Sequence, residues 1–247
     1  MDIPLIRKLE QFTRLSGNDK RALEDLTVDR IRKIGPRDNI IHEGDKPDAV
    51  YLILSGWGCR YKTLEDGRRQ VMAFLLPGDL CDLNIFVLRE MDHSICALTA
   101  VNYAEIDGEA LAALALSHPR VTRALWWEAL VSLAIQREWS VNLGQRTATE
   151  RIAHLLCELF FRLRAVGLTT DLTCDLPVTQ AELADASGLS AVHVNRTIQE
   201  LRAADLIVLR GRTLTILDLE ALKTVALFNP NYLHLNREGG GFDANEP

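Results

Sequence analysis

The chain has 247 residues, 47% of them hydrophobic and 25% charged, which is enough for one or two packed domains and excludes a disordered or fibrous chain. Its formal net charge of −6 means that any nucleic-acid contact must come from a local basic surface. Five cysteines (Cys59, Cys81, Cys96, Cys157, Cys174) are odd in number, scattered and without a C-x-x-C pair, which points to a reduced cytoplasmic protein with no disulfide framework.

The opening MDIPLIRKLEQF lacks the long apolar run of a signal peptide. No later stretch reads as a membrane span, because ALWWEALVSLAI is broken by Glu128 and Ser132. Residues 17–33 are expected to be helical, with Leu23, Leu26 and Ile31 set between charges. From residue 34 the texture becomes β-rich: NIIHEGD, AVYLILSG, GCRYKTLEDG and RRQVMAFLLPGD are short runs, each closed by a turn. The closing glycines Gly44, Gly56, Gly67 and Gly78 recur every 11 or 12 residues, and HSICALTAVNYAEID carries the pattern to residue 107. Regular short strands with glycine turns predict an antiparallel roll or barrel, and a plain β-sandwich without a ligand has the same spacing.

Residues 118–143 then read as one long helix, with no Pro or Gly between Pro119 and Gly144. Thr122, Trp126, Ala129, Leu133, Gln136, Ser140 and Leu143 follow alternating steps of four and three, the spacing of a coiled-coil dimer seam. A helix packed on its own domain is the alternative. Gly144-Gln145-Arg146 reads as a hinge, and Thr147 with Glu150 forms a capping box that opens the helix RIAHLLCELFFRLRAV. A second box, Thr179 with Glu182, opens a helix that ends at Gly188; Ser190 is the expected N-cap of the next one. DLIVLR-GR-TLTILD then signals a β-hairpin around Gly211, a short helix LEALKTVALF follows, and NREGGGFDANEP reads as a disordered tail.

Helix, tight turn, helix and hairpin in that order describe a winged helix, whose second helix enters the major groove. The candidate DNA-contacting residues are Thr179 and Gln180 before and at the start of the first helix. Ser190, Ala191, Val192, His193, Asn195, Arg196, Gln199 and Arg202 join them along the second, with Arg210 and Arg212 on the wing. Arg196 can fork onto a guanine, Asn195 can pair with adenine or hold a phosphate, and Arg202, Arg210 and Arg212 can neutralise phosphates. A purely structural helix pair is the competing account.

In its pieces and their order the chain resembles the Crp/Fnr family of bacterial transcription regulators over about residues 10–235. The matching pieces are EGD, YLILSG, EDGRRQVMAFLLPGD, the long helix, RIAHLLCEL and TQAELADASGLSAVHVNRTIQEL. The resemblance implies an α+β chain: a cyclic-nucleotide-binding-like β-roll (residues 1–117), a dimerisation helix and hinge (118–146), a winged-helix DNA-binding domain (147–230) and a tail (231–247). It also implies a homodimer on an inverted-repeat promoter site in double-stranded DNA, contact with RNA polymerase, no membrane association, and a signal received in the roll.

The chain departs from the family pattern in three places. In nucleotide-binding relatives PGD leads into G-E-L, whose carboxylate holds the ribose, and a following R-S-A supplies an arginine for the cyclic phosphate. Here the turn is Cys81-Asp82-Leu83 and the second motif is Met91-Asp92-His93-Ser94-Ile95, without an arginine. The effector pocket is therefore assigned to Asp82, Leu83, His93 and Ser94, with cyclic AMP and cyclic GMP disfavoured as effectors and His93 read as a structural histidine. No cysteine precedes Cys59, so an iron–sulfur cluster is not expected; Cys81 reads as a small buried hydrophobe, with a redox role beside the pocket turn as the alternative. Val192 stands where many relatives carry Glu, so the DNA half-site is expected to differ from theirs. A ligand-independent regulator with a degenerate roll is the alternative. A cupin-like metal enzyme is disfavoured because the roll holds only His42 and His93, far apart, and the P-loop, GxGxxG, HExxH and GxSxG patterns are absent.

Overall fold

A computed structural model of the chain describes residues 3–28, 30–83 and 87–235. Its elements in chain order begin with helices α1 (Pro4–Leu9) and α2 (Gly17–Val28). Eight strands follow: β1 (Ile31–Ile34), β2 (Asn39–Ile41), β3 (Ala49–Ser55), β4 (Gly58–Thr63), β5 (Arg69–Leu75), β6 (Leu80–Cys81), β7 (Ser94–Ala97) and β8 (Val101–Asp107). Helices α3 (Gly108–Ser117), α4 (Pro119–Gln145) and α5 (Ala148–Ala165) lead to β9 (Thr169–Thr170) and β10 (Thr173–Asp175). The last elements are α6 (Gln180–Ser187), α7 (Ala191–Ala203), β11 (Ile207–Arg210), β12 (Thr213–Ile216), α8 (Leu219–Val225) and a 3-10 turn (Pro230–Leu233).

Two compact units divide the chain. One comprises the chain up to Tyr61 with Phe74–Leu133; the other comprises Lys62–Ala73 with Ala134–Leu233. The eight β-roll strands form two antiparallel sheets, in the orders β1-β8-β3-β6 and β2-β7-β4-β5. Leu52, Ile53, Ile95, Val101 and Ala104 fill the core of the first unit, together with Leu5, Ile6 and Leu9 of α1 and Val121 and Leu125 of α4. Each large aliphatic side chain among them contributes roughly 1.5–3 kcal/mol when fully buried. The turn glycines behave as their spacing predicted: Gly44, Gly56, Gly67 and Gly78 all have φ between 82° and 94°. At Gly78 a Cβ would also fall 2.9 Å from the Pro4 carbonyl carbon, so the start of α1 packs directly against this turn.

Two local expectations change, and one helix appears that the sequence did not announce. The helix expected over residues 17–33 stops at Val28, and Ile31–Ile34 instead pairs antiparallel with Ala104–Val101. Ile31 is 54% exposed: a ladder with a distant strand overrode a local apolar spacing. Helix α1 carried no readable periodicity because it is only six residues long, yet it buries Leu5, Ile6 and Leu9. The expected hinge at Gly144 is helical, since α4 continues to Gln145 and only Arg146 and Thr147 separate it from α5. The expected tail over residues 236–247 lies outside the described residues.

In the second unit α5 is buried on every side from Ile152 to Phe160, with Ile152, Leu156, Leu159 and Phe160 among its apolar core residues. At its middle Glu158, fully buried, accepts hydrogen bonds from Trp139 Nε1 (3.1 Å), Tyr232 Oη (2.9 Å) and Arg162 (3.3 Å). Burial pushes this carboxyl above its usual range, while Arg162 and the two neutral donors oppose the shift. His154, one turn earlier, stacks on Tyr232 and is held neutral, its pKa lowered to about 3 by burial and by Arg146. The β4–β5 hairpin tip belongs to this unit: Gln136 donates to the Met72 carbonyl (3.0 Å) and Gln70 to the Ala186 carbonyl (3.4 Å).

Candidate functional site

The helix pair at residues 180–203 is built from its caps outward. Thr179 Oγ1 accepts from the Glu182 N–H (3.2 Å) and the Glu182 carboxylate accepts from the Thr179 N–H (2.6 Å), closing the box that starts α6. Gly188 then turns the chain at φ +63°, in the left-handed region, and its N–H returns to the Ala184 carbonyl. Ser190 Oγ accepts from the His193 N–H (3.2 Å) and starts α7. Helix α7 buries Val194, Thr197, Ile198 and Leu201, so one side is fixed against the domain and the other must face outward.

That outward side carries the candidate residues. Thr179, Gln180, Ser190, Ala191, Val192, Asn195, Arg196, Gln199 and Arg202 are exposed, and His193 is half-buried. Val192 is 81% exposed at the first turn, a large apolar side chain with no packing role inside the domain. Asn195 Nδ2 donates to Gln180 Oε1 (3.2 Å), joining the start of α6 to the middle of the exposed stripe. Arg196 contacts His193 Nε2 (3.3 Å) and lies 3.5 Å from a Glu200 oxygen, and Arg202 donates to Gln199 (3.2 Å). These are exposed, water-competed contacts that a ligand can displace at little cost.

The wing is a four-stranded antiparallel sheet, ordered β11-β12-β10-β9, in place of the expected two-stranded hairpin. Strands β9 and β10 are two and three residues long and gave no sequence signal beyond the three threonines in LTTDLTCD. Gly211 turns β11 into β12 at φ +60°, and Arg210 and Arg212 flank it, both exposed.

The long helix α4 carries a second outward stripe. Trp126, Leu130 and Leu133 are 65%, 55% and 55% exposed, and Arg137 and Ser140 continue the same four-three step. Of the expected seam positions, Trp126, Leu133, Ser140 and Leu143 are exposed. Thr122, Ala129 and Gln136 are half-buried; Thr122 Oγ1 donates to the Ala115 carbonyl, and Gln136 is engaged by Met72.

Inside the roll, the expected pocket residues meet a side chain that the sequence does not single out. Arg60, on β4 opposite Ile95 of β7, reaches Asp82 Oδ1 at 2.8 Å. His93 Nε2 sits 3.0 Å from the other Asp82 oxygen, and its Nδ1 lies 2.6 Å from Asp92. Burial alone would raise the Asp82 carboxyl, but the His93 hydrogen bond and the Arg60 guanidinium outweigh it and hold it below the usual range. Ser94 Oγ accepts from the Glu43 N–H (2.9 Å), and Leu83 packs partly buried on the roll core. Burial pushes the Cys81 thiol well up, outweighing the opposing pull of the nearby Arg60, and keeps it protonated.

Residues 150–225 match the family model described as a Crp-like helix-turn-helix domain, and residues 31–118 match the cyclic nucleotide-binding domain. The transcriptional activator protein FnrL of Cereibacter sphaeroides is 31% identical over 84% of this chain and 83% of its own length. The nitrogen fixation regulation protein FixK of Bradyrhizobium diazoefficiens is 29% identical over 76% and 78%. Among solved structures, FixK2 from Bradyrhizobium japonicum superposes with a TM-score of 0.71 at 26% identity, covering 79% of this chain and 96% of that one. A regulator from Thermus thermophilus, with a TM-score of 0.62 at 21% identity over 81% and 99%, shares the fold.

Proposed function

The chain belongs to the Crp/Fnr family of transcription regulators, and from that premise we propose that it binds an inverted-repeat promoter site as a homodimer through residues 190–202. The observation that carries this reading is the exposed stripe of α7. A valine 81% open to solvent, an amide and an arginine stand on a helix whose opposite side is locked into the domain, with two arginines on the adjacent wing. The dimer forms along α4, whose outward Trp126, Leu130 and Leu133 are left uncovered by the described residues. The similarity to transcriptional activators supports contact with RNA polymerase, and DNA as the partner, together with five cysteines outside any disulfide, supports a cytoplasmic location.

The roll receives a signal other than cyclic AMP. A second reading, in which the roll is a ligand-free scaffold, is favoured by one observation: the Asp82 carboxylate, which would meet a ligand hydroxyl, is already taken by Arg60 and His93. Native mass spectrometry of freshly purified protein distinguishes the two by the presence or absence of a retained small molecule.

The test of DNA reading compares two substitutions on a specific site and on random DNA. The half-sites should lie about one helical turn apart, roughly 34 Å. Arg196→Ala is expected to cost on the order of 1–3 kcal/mol on the specific site and much less on random DNA. Arg212→Ala is expected to weaken both evenly and to flatten the salt dependence. Equal losses on both DNAs for Arg196→Ala would mean that α7 positions the protein without reading bases.

A further inference from the structure

The roll holds two cysteines that stand 37 positions apart in sequence and face each other across a strand pair. Cys59 of β4 is the register partner of Cys96 of β7, and their sulfurs lie 3.4 Å apart. Directly opposed residues in an antiparallel pair have Cα atoms about 4.5 or 5.5 Å apart, and both values fall within the range a disulfide spans. The sulfurs need to close by only about 1.4 Å to reach bonding distance, a side-chain rotation without a strand shift. Both residues are thiols, and both are buried.

Two further observations converge on this pair. Gly58, beside Cys59, approaches so closely that a Cβ there would sit 3.0 Å from the Cys96 carbonyl oxygen, so β4 and β7 are drawn together at this point. On its other edge β7 pairs with β2 through a register shift between Asn39 and Ile41, and Asn39 is the residue opposite Cys96. This register shift interrupts the ladder beside Cys96. Cys81, Cys157 and Cys174 are also buried thiols, but none of them has a cysteine as its strand partner.

We propose that Cys59 and Cys96 are a modification site, a dithiol that a hydroperoxide converts to an intramolecular disulfide bridging β4 and β7. The Cys96 sulfur, on the slightly less covered residue of the two, attacks the terminal peroxide oxygen. The O–O bond breaks, a sulfenic acid forms on Cys96, and one water (or alcohol) leaves after proton transfer. The Cys59 sulfur then attacks the sulfenic sulfur; the S–O bond breaks, a second water leaves with the Cys59 proton, and the S–S bond forms. The two thiols together lose two electrons, and the peroxide gains them. A thiol reductant reverses the bond by exchange.

The test treats the purified full chain with hydrogen peroxide, alkylates the remaining thiols and maps peptides by mass spectrometry. The expected result is a linked pair of peptides containing Cys59 and Cys96, lighter than their sum by two hydrogens. Dithiothreitol should abolish it, and Cys81, Cys157 and Cys174 should stay alkylated. In Cys59→Ser, Cys96 has no resolving thiol and is expected to progress to the sulfinic acid. Alkylation of Cys59 and Cys96 at the same level as the other three would overturn the proposal. So would over-oxidation of Cys96 in the unaltered chain without a link, a link to any other cysteine or between two chains, or an oxidation of Cys96 unchanged by Cys59→Ser.

Discussion

Asp82 sits at φ +56°, in a left-handed backbone region that costs an L-residue about 1–2 kcal/mol, and its carboxylate is held by Arg60 and His93. Removing that charge leaves a largely buried guanidinium without its counter-charge. Asp82→Asn is therefore expected to destabilise the fold by on the order of 2 kcal/mol at pH 7, read as a lower Tm. The sign of its pH dependence follows from the lowered folded pKa. The Asp82 contribution is fully present above the ordinary carboxylate value of about 3.9 and is lost as pH falls through the lower folded value. The Tm gap between the two proteins should stay constant from neutral pH down to the ordinary value and narrow below it. A gap that closes between about pH 6 and 8 would assign the effect to a different group, such as a histidine. Asp82 and His93 were legible because they stand in recognisable turn and strand motifs. Arg60 was not: in GCRYKT it reads as an ordinary outward strand residue, and only its pairing with Ile95, wholly buried, puts it on the inward face. The Cys59–Cys96 pair was hidden for the same reason, since strand register is not written in the spacing of either run.

At the scale of elements, the most readable parts were those whose signals are local. Both capping boxes, the Gly188 turn and the Ser190 cap occur where T-x-x-E and G-x-S predicted them, because each is closed by atoms within four residues of one another. Strands β9 and β10 escaped because runs of two and three residues have no period, and they exist only by pairing with β12 and with each other. Helix α4 shows the limit of a four-three spacing. Two neighbouring stripes of one helix satisfy it, and burial favours the one through Leu130 and Arg137 over the one through Ala129 and Gln136. Leu133 lies near both, so Leu133→Arg brings a charge to the face that we assign to the dimer. The expected outcome is a monomer by light scattering, with much weaker binding to an inverted repeat. A dimer of unaltered affinity would move the interface to another surface.

At the scale of the whole molecule, the order of β-roll, long helix and winged helix was legible, because it rests on changes of texture that persist over tens of residues. The division into compact units was less so. It cuts within α4, after Leu133, and assigns Lys62–Ala73 to the second unit, whereas the sequence suggested a boundary at residue 117. Periodicity marks where an element begins, and not which neighbours it packs against. The altered pocket leads to a prediction for the intact protein: millimolar cyclic AMP should neither raise its Tm nor change its DNA affinity. His93 stands in the motif that carries an arginine in nucleotide-binding relatives, and Arg60 is already paired with Asp82. Saturable binding at micromolar concentration would require the Arg60–Asp82 pair to open for the phosphate. The buried Glu158 has a different kind of consequence, in the isotope exchange of a single proton. The Trp139 indole hydrogen points into a carboxylate with no access to water. Deuterium can reach the Trp139 site only while the joint between α4 and α5 is open, so the decay of that one resonance in heavy water is a clock for how often the second unit comes apart at its centre.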